Sequence, residues 1–481
     1  MAFPTPWSIP AFRSAGSMKM VEGADEPRPI SASPRWFGLG LVVLVILGIA
    51  MRIAFAIVWQ DGKPLAGDPM VFQQTAAYLA HGHGYAIPFL GKGRPEATAL
   101  HPPVFPVVLA VLDVLGLQSA NAHRIALAFI ASGGIVAMGF LGRRLMSPAT
   151  GLLAAGIAAF SPVWVQPSGK VLSESVYLVV IPLMLLAALR CIERPSRLRF
   201  AAVGLMIGIA ALTRSEATSL IVLLGIPLVL FATRPWRGRA RFGLMLLAGF
   251  ALIVGPWLIR NDVKLGGFTL STDSGTTLSG AYSPATFDPN SPLYGSSDLN
   301  MQAADVDALL VYEHPPDHAK RWTELTLSNA ESHIATTYAR GHLSDLPGVV
   351  LAREGRLWGL YASGAQLQFD LVADADGVRG FQLAAQYLNW ILIPLTIGGG
   401  IVLYRRSRRD LVVVAAPIVA AALNAALTYG STRYRGVAEP SDAVLAAISA
   451  VFVLKHLRHV RWRAPRRNSA NVGDASISQG P

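Results

Sequence analysis

Asp68 stands in a Gly-Asp-Pro turn within DGKPLAGDPMVFQQTAAYLAHGHGYAIPFLGKGRPEATALHPP, directly after an apolar run. Asp ahead of a helix that opens on proline is a common cap, and here a short helix is expected from about Pro69 to His81. A carboxylate fixed by backbone donors at a membrane surface is also well placed to act as a general base, and the two roles are compatible. A second acid, Glu174 in KVLSESVYL, lies at the end of a later apolar run. Charge at membrane depth is costly, so an acid there suggests a site or a buried pair. Arg214 and Glu216 in LTRSEA are close enough in sequence to pair with each other as structural neighbours. His81, His83 and His101, with Glu96 and Asp68, could be assembled into a metal site. They lack a fixed helical spacing, however, and histidines in a glycine-rich loop are more often solvated or hydrogen-bonding, so no metal is expected.

The elements that must position these residues are membrane helices. Of 481 residues, 52% are hydrophobic and only 15% charged, well below the charged fraction of soluble domains. Runs long enough to span recur at 37–59, 123–141, 149–166, 171–189, 200–213, 217–232, 243–259, 384–403, 411–428 and 441–456, giving about ten transmembrane helices in an all-α polytopic protein. The net charge of +12 would suggest nucleic acid in a soluble protein. Here the basic residues sit in short loops: Arg143 and Arg144, RCIERPSRLR, RPWRGRAR, YRRSRR and KHLRHVRWRAPRR. Each follows an even-numbered span, which places both termini in the cytoplasm and makes 60–122 and 260–383 outside segments. No nucleic-acid partner is implied. The lone cysteine, Cys191, excludes an intramolecular disulfide and a thiolate cluster.

This topology settles HPPVFPVVLAVLDVLG at 101–116. If it crossed, every later basic loop would face outward; its apolar part is also short for a span, and the double proline permits a helix to begin but not to run through it. It is read as an interfacial or re-entrant helix within the first outside loop. The organisation expected is a disordered tail over 1–36, a transmembrane region over 37–259, a small helical cap over 260–383, helices over 384–456 and a basic cytoplasmic tail over 457–481. Helical periodicity within the cap appears in HAKRWTELTLSNAESHIATTYARGHL and PGVVLAREGRLWGLY.

Several cations fall on the outer side, where the positive-inside rule disfavours them: Lys92, Arg94, Arg124, Arg260, Arg433 and Arg435. Forked guanidinium donors match phosphate oxygens, so together they point to a phosphate-bearing lipid.

The order of these features resembles the GT-C glycosyltransferases, particularly the branch similar to protein O-mannosyltransferases and the lipid A aminoarabinose transferase. The likeness runs through AAYLAHGHGY, HPPVFPVVLAVL, RIALAFIASGGIVAMGFLGRRL, LSES, GPWLIRN and STRYRGVAEP. It implies a sugar donor on a polyprenyl phosphate, an acceptor hydroxyl on protein, glycan or lipid outside the cytoplasmic membrane, and inversion at the anomeric carbon. Asp68 matches the family's loop acid and is the expected base; Glu174 matches the acid at the outer end of the fourth span. His101, Lys92, Arg124, Arg260, Asn261, Arg433, Tyr434 and Arg435 are the expected substrate-binding residues. The family often has Asp-Glu where this chain has Asp68-Pro69, which leaves one carboxylate in the turn. The sequence carries no glycine-rich phosphate loop between a strand and a helix, so no nucleotide cofactor is expected. A transporter or flippase for lipid-linked sugars would use the same outward cations, but would need a polar path; apart from Arg52 the spans hold few internal charges. A noncatalytic assembly subunit would leave Asp68 and Glu174 apart.

Overall fold

A computed structural model describes residues 34–88, 95–232, 235–299, 323–373 and 377–462. Most of the expected tails, 1–36 and 457–481, lies outside these residues, as do Lys92 and Arg94; their described ends, 35–36 and 457–462, are helical. Among the described residues seven helices are long and apolar enough to cross a membrane, or eight with one bent pair counted as a span.

The chain opens with α1 (Arg35–Trp59), α2 (Asp68–Ala80), a two-stranded antiparallel ribbon of β1 (Ala86–Pro88) and β2 (Pro95–Ala97), and α3 (Val104–Val114). The ribbon was not expected in an all-helical chain; it pairs Ile87 with Glu96 across the loop tip. At 11 residues α3 is too short to cross. Its Asp113 is buried against His123 Nε2 at 2.9 Å, which ties the helix to α4 (Ala120–Leu145).

The expected span at 149–166 is two helices, α5 (Pro148–Phe160) and α6 (Pro162–Lys170), bent by 44°. The cause is Pro162, which has no N–H to give the Ala158 carbonyl. Arg52 of α1 supplies the missing donors: its Nη2 bonds Ala158 O at 2.9 Å and its Nη1 lies 3.4 Å from Ala159 O. The charge noted inside the first span thus serves a broken backbone.

Next come α7 (Glu174–Glu193) and α8 (Arg197–Thr213), then the expected span at 217–232, which is broken into a 3-10 turn (Ser215–Ser219), α9 (Leu220–Leu223) and α10 (Gly225–Phe231). Together with α8, which is only 17 residues long, this segment accounts for the shortfall from about ten full-length spans. Backbone contact compensates for the length of α8: it packs along α11 (Trp236–Leu265), where a Cβ on Gly204 would overlap the Leu246 carbonyl and one on Gly249 the Ala201 carbonyl. Small residues at such crossings give membrane helices their van der Waals contact.

The large loop folds into α12 (Asp273–Ala281), α13 (Pro284–Phe287), α14 (Glu324–Gly341), α15 (Leu346–Leu357) and α16 (Ser363–Ala373). The bundle closes with α17 (Arg379–Arg406), α18 (Arg408–Leu427), a 3-10 turn (Thr432–Val437) and α19 (Glu439–Trp462). An Arg144–Glu193 ion pair and the approach of Arg406 to Met146 at 3.6 Å gather the ends of α4, α7 and α17. The starts of α2 and α7 and the 3-10 turn meet elsewhere, through the contacts described below.

Two fully buried arginines of α15 hold the cap. Arg353 donates to Ala281 O and Ala426 O, each at 2.9 Å, bridging α12 and α18, while Arg356 donates to Tyr294 O at 2.7 Å. Hydrogen bonds from charged donors contribute about 1.5–3 kcal/mol each, and removing the donor also orphans buried carbonyls. Arg353→Met should therefore lower stability by on the order of 3 kcal/mol, read as a clear drop in thermal midpoint in detergent. An unchanged midpoint would mean that apolar packing alone holds the cap.

Candidate active site

Asp68 is the first residue of α2, and the turn before it depends on Gly67, whose φ of 61° and ψ of −139° suit only glycine. Contrary to the capping expectation, the Asp68 carboxylate takes its hydrogen bond from a side chain. Arg433 Nη1 donates to its Oδ2 at 2.8 Å. The Nε of the same guanidinium donates to Glu174 Oε1 at 2.7 Å, so one arginine is shared by two carboxylates from distant parts of the chain. Glu174 Oε1 also accepts from Arg214 Nη1 at 2.7 Å, and Arg214 Nε donates to Glu216 Oε1 at 2.6 Å. His101 Nε2 lies 3.6 Å from Asp68 Oδ1, its ring beside Phe72 with centroids 4.5 Å apart. Charges of alternating sign thus run from Asp68 through Arg433, Glu174 and Arg214 to Glu216.

Local backbone delivers each member. Ser431 Oγ accepts from Arg433 N at 3.3 Å and opens the 3-10 turn. Between α6 and α7, Val171 sits in the left-handed region at φ 58° and ψ 51°, a costly place for a β-branched residue. That turn sets Lys170 and Glu174 on the wall of one cavity, with Gln166, Asp370, Arg433 and Arg435. Asp68 meets the cavity through Arg433. Arg435 is buried and pairs with Glu439 at 3.3 Å. Tyr434 lies tilted against Tyr429, centroids 4.9 Å apart, and Tyr429 lines the cavity, its hydroxyl pushed up to about 12 by burial. Asp370 accepts from Gln366 Nε2 at 2.8 Å and from Thr432 Oγ1 at 2.7 Å, bracing the residue before Arg433.

The other arginines expected to bind substrate are engaged with backbone. Arg260 donates to Thr98 O and Tyr85 O, each at 2.6 Å, and lies 5.0 Å from the Trp257 ring, clamping the ribbon to α11. Asn261 donates to Thr269 O at 2.8 Å. Arg124 donates to Gly169 O at 2.9 Å and to Lys63 O at 3.0 Å. Arg214 and Glu216 do pair as expected, but the reading of them as mere neighbours missed the bond from Arg214 to Glu174. A signal existed: Arg214 follows the fifth span, on the side where cations are disfavoured, and meets the criterion applied to Arg433.

Burial alone would raise the Asp68 carboxyl; the Arg433 guanidinium, with His101 and Arg214 behind it, outweighs that and holds Asp68 well below the usual carboxylate range. What this arrangement offers chemically is an ionised carboxylate whose partner cation also faces a cavity.

Residues 100–259 match the family described as dolichyl-phosphate-mannose-protein mannosyltransferase. The archaeal oligosaccharyltransferase AglB from Archaeoglobus fulgidus, in complex with an inhibitory peptide and a dolichol-phosphate, superposes with a TM-score of 0.53 and 15% identity over 92% of this chain and 53% of that chain. The apo form of the A. fulgidus oligosaccharyltransferase gives a TM-score of 0.53 and 14% identity over 89% and 52%. ArnT from Cupriavidus metallidurans bound to undecaprenyl phosphate aligns at a TM-score of 0.38 and 15% identity over 91% and 82%, a level at which superposition does not define a common fold. No curated protein matches the sequence. The chain spans about half the length of the oligosaccharyltransferases it superposes on. This is a polytopic membrane protein that shares its fold with the A. fulgidus oligosaccharyltransferase, and its residues 100–259 are similar to the mannosyltransferase family.

A depressed carboxyl contributes stability that is present above its unfolded value, about 3.9, and is lost as pH falls through its folded value. The thermal midpoint of the wild type should exceed that of Asp68→Asn at pH 6, with the gap closing as pH falls below about 4. A gap independent of pH would place the stabilisation outside this ion pair.

Proposed function

We propose that the chain is a glycosyltransferase that moves a monosaccharide from a polyprenyl-phosphate donor to an acceptor hydroxyl of a protein, glycan or lipid, with inversion and with Asp68 as base. The observation that carries this reading is Arg433, held by Asp68 and Glu174 on the wall of a cavity that also presents Lys170 and Arg435. The shared fold supports it, since an oligosaccharyltransferase with that fold was captured with dolichol-phosphate. The basic loops favour the cytoplasmic membrane, with the site on the extracytoplasmic face.

The geometry suggests why one arginine serves two acids. A donor phosphate entering the cavity competes for Arg433, because its oxyanions accept the same forked donors. As Arg433 turns toward phosphate, Asp68 loses the cation that suppresses its proton affinity and becomes a better base. The acceptor oxygen then bonds the anomeric carbon, its proton passes to Asp68, and the bond to the lipid phosphate breaks with its electron pair on the phosphate oxygen. Glu174 stays charged against Arg214 and holds Arg433 within reach of both partners. Lipid phosphate is a good leaving group, so the proposed step invokes no metal and no further cofactor.

Purified protein offered a panel of radiolabelled polyprenyl-phosphate monosaccharides should transfer or release label. Asp68→Asn should reduce turnover by about 10²-fold or more, the usual scale for a general base. Near-normal turnover in folded Asp68→Asn removes Asp68 as base; no turnover with any donor, but movement of the lipid across vesicles, makes the protein a flippase.

A further inference from the structure

One wall of the cavity is aromatic. Tyr429, in the segment after α18, and Phe369 of α16 both line it, and both are only half-buried. The two rings stand edge to face, with centroids 6.2 Å apart and planes at 70°. Tyr434 of the 3-10 turn supports Tyr429: its ring is 4.9 Å away and the two hydroxyls share a hydrogen bond. The cap fixes both lining residues. Beside Tyr429, Gly430 N donates to Gly295 O at 2.9 Å, and a Cβ at 430 would overlap the Arg353 carbonyl, so glycine is needed for the chain to pass this close to α15. Phe369 is flanked on α16 by Gln366, whose Oε1 accepts from Arg356 Nη1 at 3.2 Å, and by Asp370, whose Oδ2 accepts from Thr432 Oγ1 at 2.7 Å. Two aromatic rings are thus braced from behind while keeping area open to the cavity that Arg433 also lines.

We propose that the wall formed by Tyr429 and Phe369 is the platform on which the donor's sugar ring lies, and that this sugar is neutral. The inference rests on the glycosyl-transfer reading and adds the sugar to a site so far defined by its phosphate. The C–H face of a sugar ring is apolar and its hydrogens are slightly positive, which suits the negative face of an aromatic ring. A sugar bonded to a phosphate on Arg433 lies within one ring's breadth of that cation, in the cavity that the aromatic wall closes. Uncharged groups border the wall. On α6, Gln166 stands one turn from Lys170, with Cβ atoms about 5–6 Å apart, and Ser363 of α16 and Gln386 of α17 line the same cavity. Amides and hydroxyls both donate and accept, as sugar hydroxyls require. The acids among the described lining residues are already engaged: Glu174 by Arg214 and Arg433, and Asp370 by Gln366 and Thr432. An amino sugar would therefore bring its ammonium to Lys170, Arg433 and Arg435 without a spare carboxylate, and an acidic sugar would compete with its own phosphate for those cations. A neutral sugar meets neither obstacle.

The test is equilibrium binding of two radiolabelled lipids to the full chain as wild type, Tyr429→Leu, Tyr429→Phe and Phe369→Leu. One lipid is undecaprenyl phosphate; the other is whichever undecaprenyl-phosphate monosaccharide the wild type binds most tightly in a panel of neutral, amino and acidic sugars. That donor should be a neutral one. Tyr429→Leu and Phe369→Leu should each weaken its binding about 10-fold, the scale of a lost aromatic contact, and leave undecaprenyl phosphate within about twofold, which also shows that the variants are folded. Tyr429→Phe keeps the ring face and should retain most of the affinity. An equal loss for both lipids gives the wall to the isoprenoid chain and overturns the proposal. So does undiminished binding in both leucine variants, or a Tyr429→Phe that falls as far as Tyr429→Leu. An amino or acidic donor bound most tightly overturns the neutral assignment. A loss confined to the sugar-bearing lipid, in a protein that turns over no donor, upholds the platform and overturns transfer. A wild type that binds none of the sugar-bearing lipids overturns both.

Discussion

The site depends on one guanidinium divided between two carboxylates. Arg433 links the turn after the first span, the start of α7 and the turn before α19, positions separated by 259 and 365 residues along the chain. Charges taken out of water must be paired, and breaking such a pair costs more than never having made it. With Arg214 and Glu216 extending the row, removal of Arg433 or of Arg214 takes the arginine from a terminal carboxylate, Asp68 or Glu216. Arg433 is also 27% exposed while Glu174 is 6% exposed, so the shared arginine is the member best able to exchange partners.

Five other arginines work on a different acceptor. Arg52, Arg124, Arg260, Arg353 and Arg356 all direct their donors at main-chain carbonyls. Backbone oxygen atoms away from water need partners wherever helices break or loops tuck inward. The arginines on carbonyls fix the ribbon, the kink and the cap, whereas Arg433 and Arg214, on carboxylates, build the candidate site.

That division explains what could be read from the sequence. The long helices were legible because 20 or so apolar residues have few alternatives in a bilayer, and Asp68, Glu174 and Arg433 stood out as charges at helix ends. The arginines did not sort themselves: Arg260 and Arg433 satisfy the same positive-inside criterion, and only the fold shows that the first meets carbonyls and the second carboxylates. Breaks were legible in part, since Pro162 was visible but its effect on a continuous apolar run was not. The ribbon at 86–97 has strands of three residues each, too few for an alternating pattern.

The bend between α5 and α6 carries a consequence for how this chain can vary. Pro162 leaves a carbonyl open and Arg52, from another helix, closes it. Restoring an ordinary residue at 162 would straighten the helix and strand a cation inside the bundle; replacing Arg52 alone would strand the carbonyl. Pro162 and Arg52 therefore act as a pair, and α6, which gives the cavity Gln166 and Lys170, takes its direction from them.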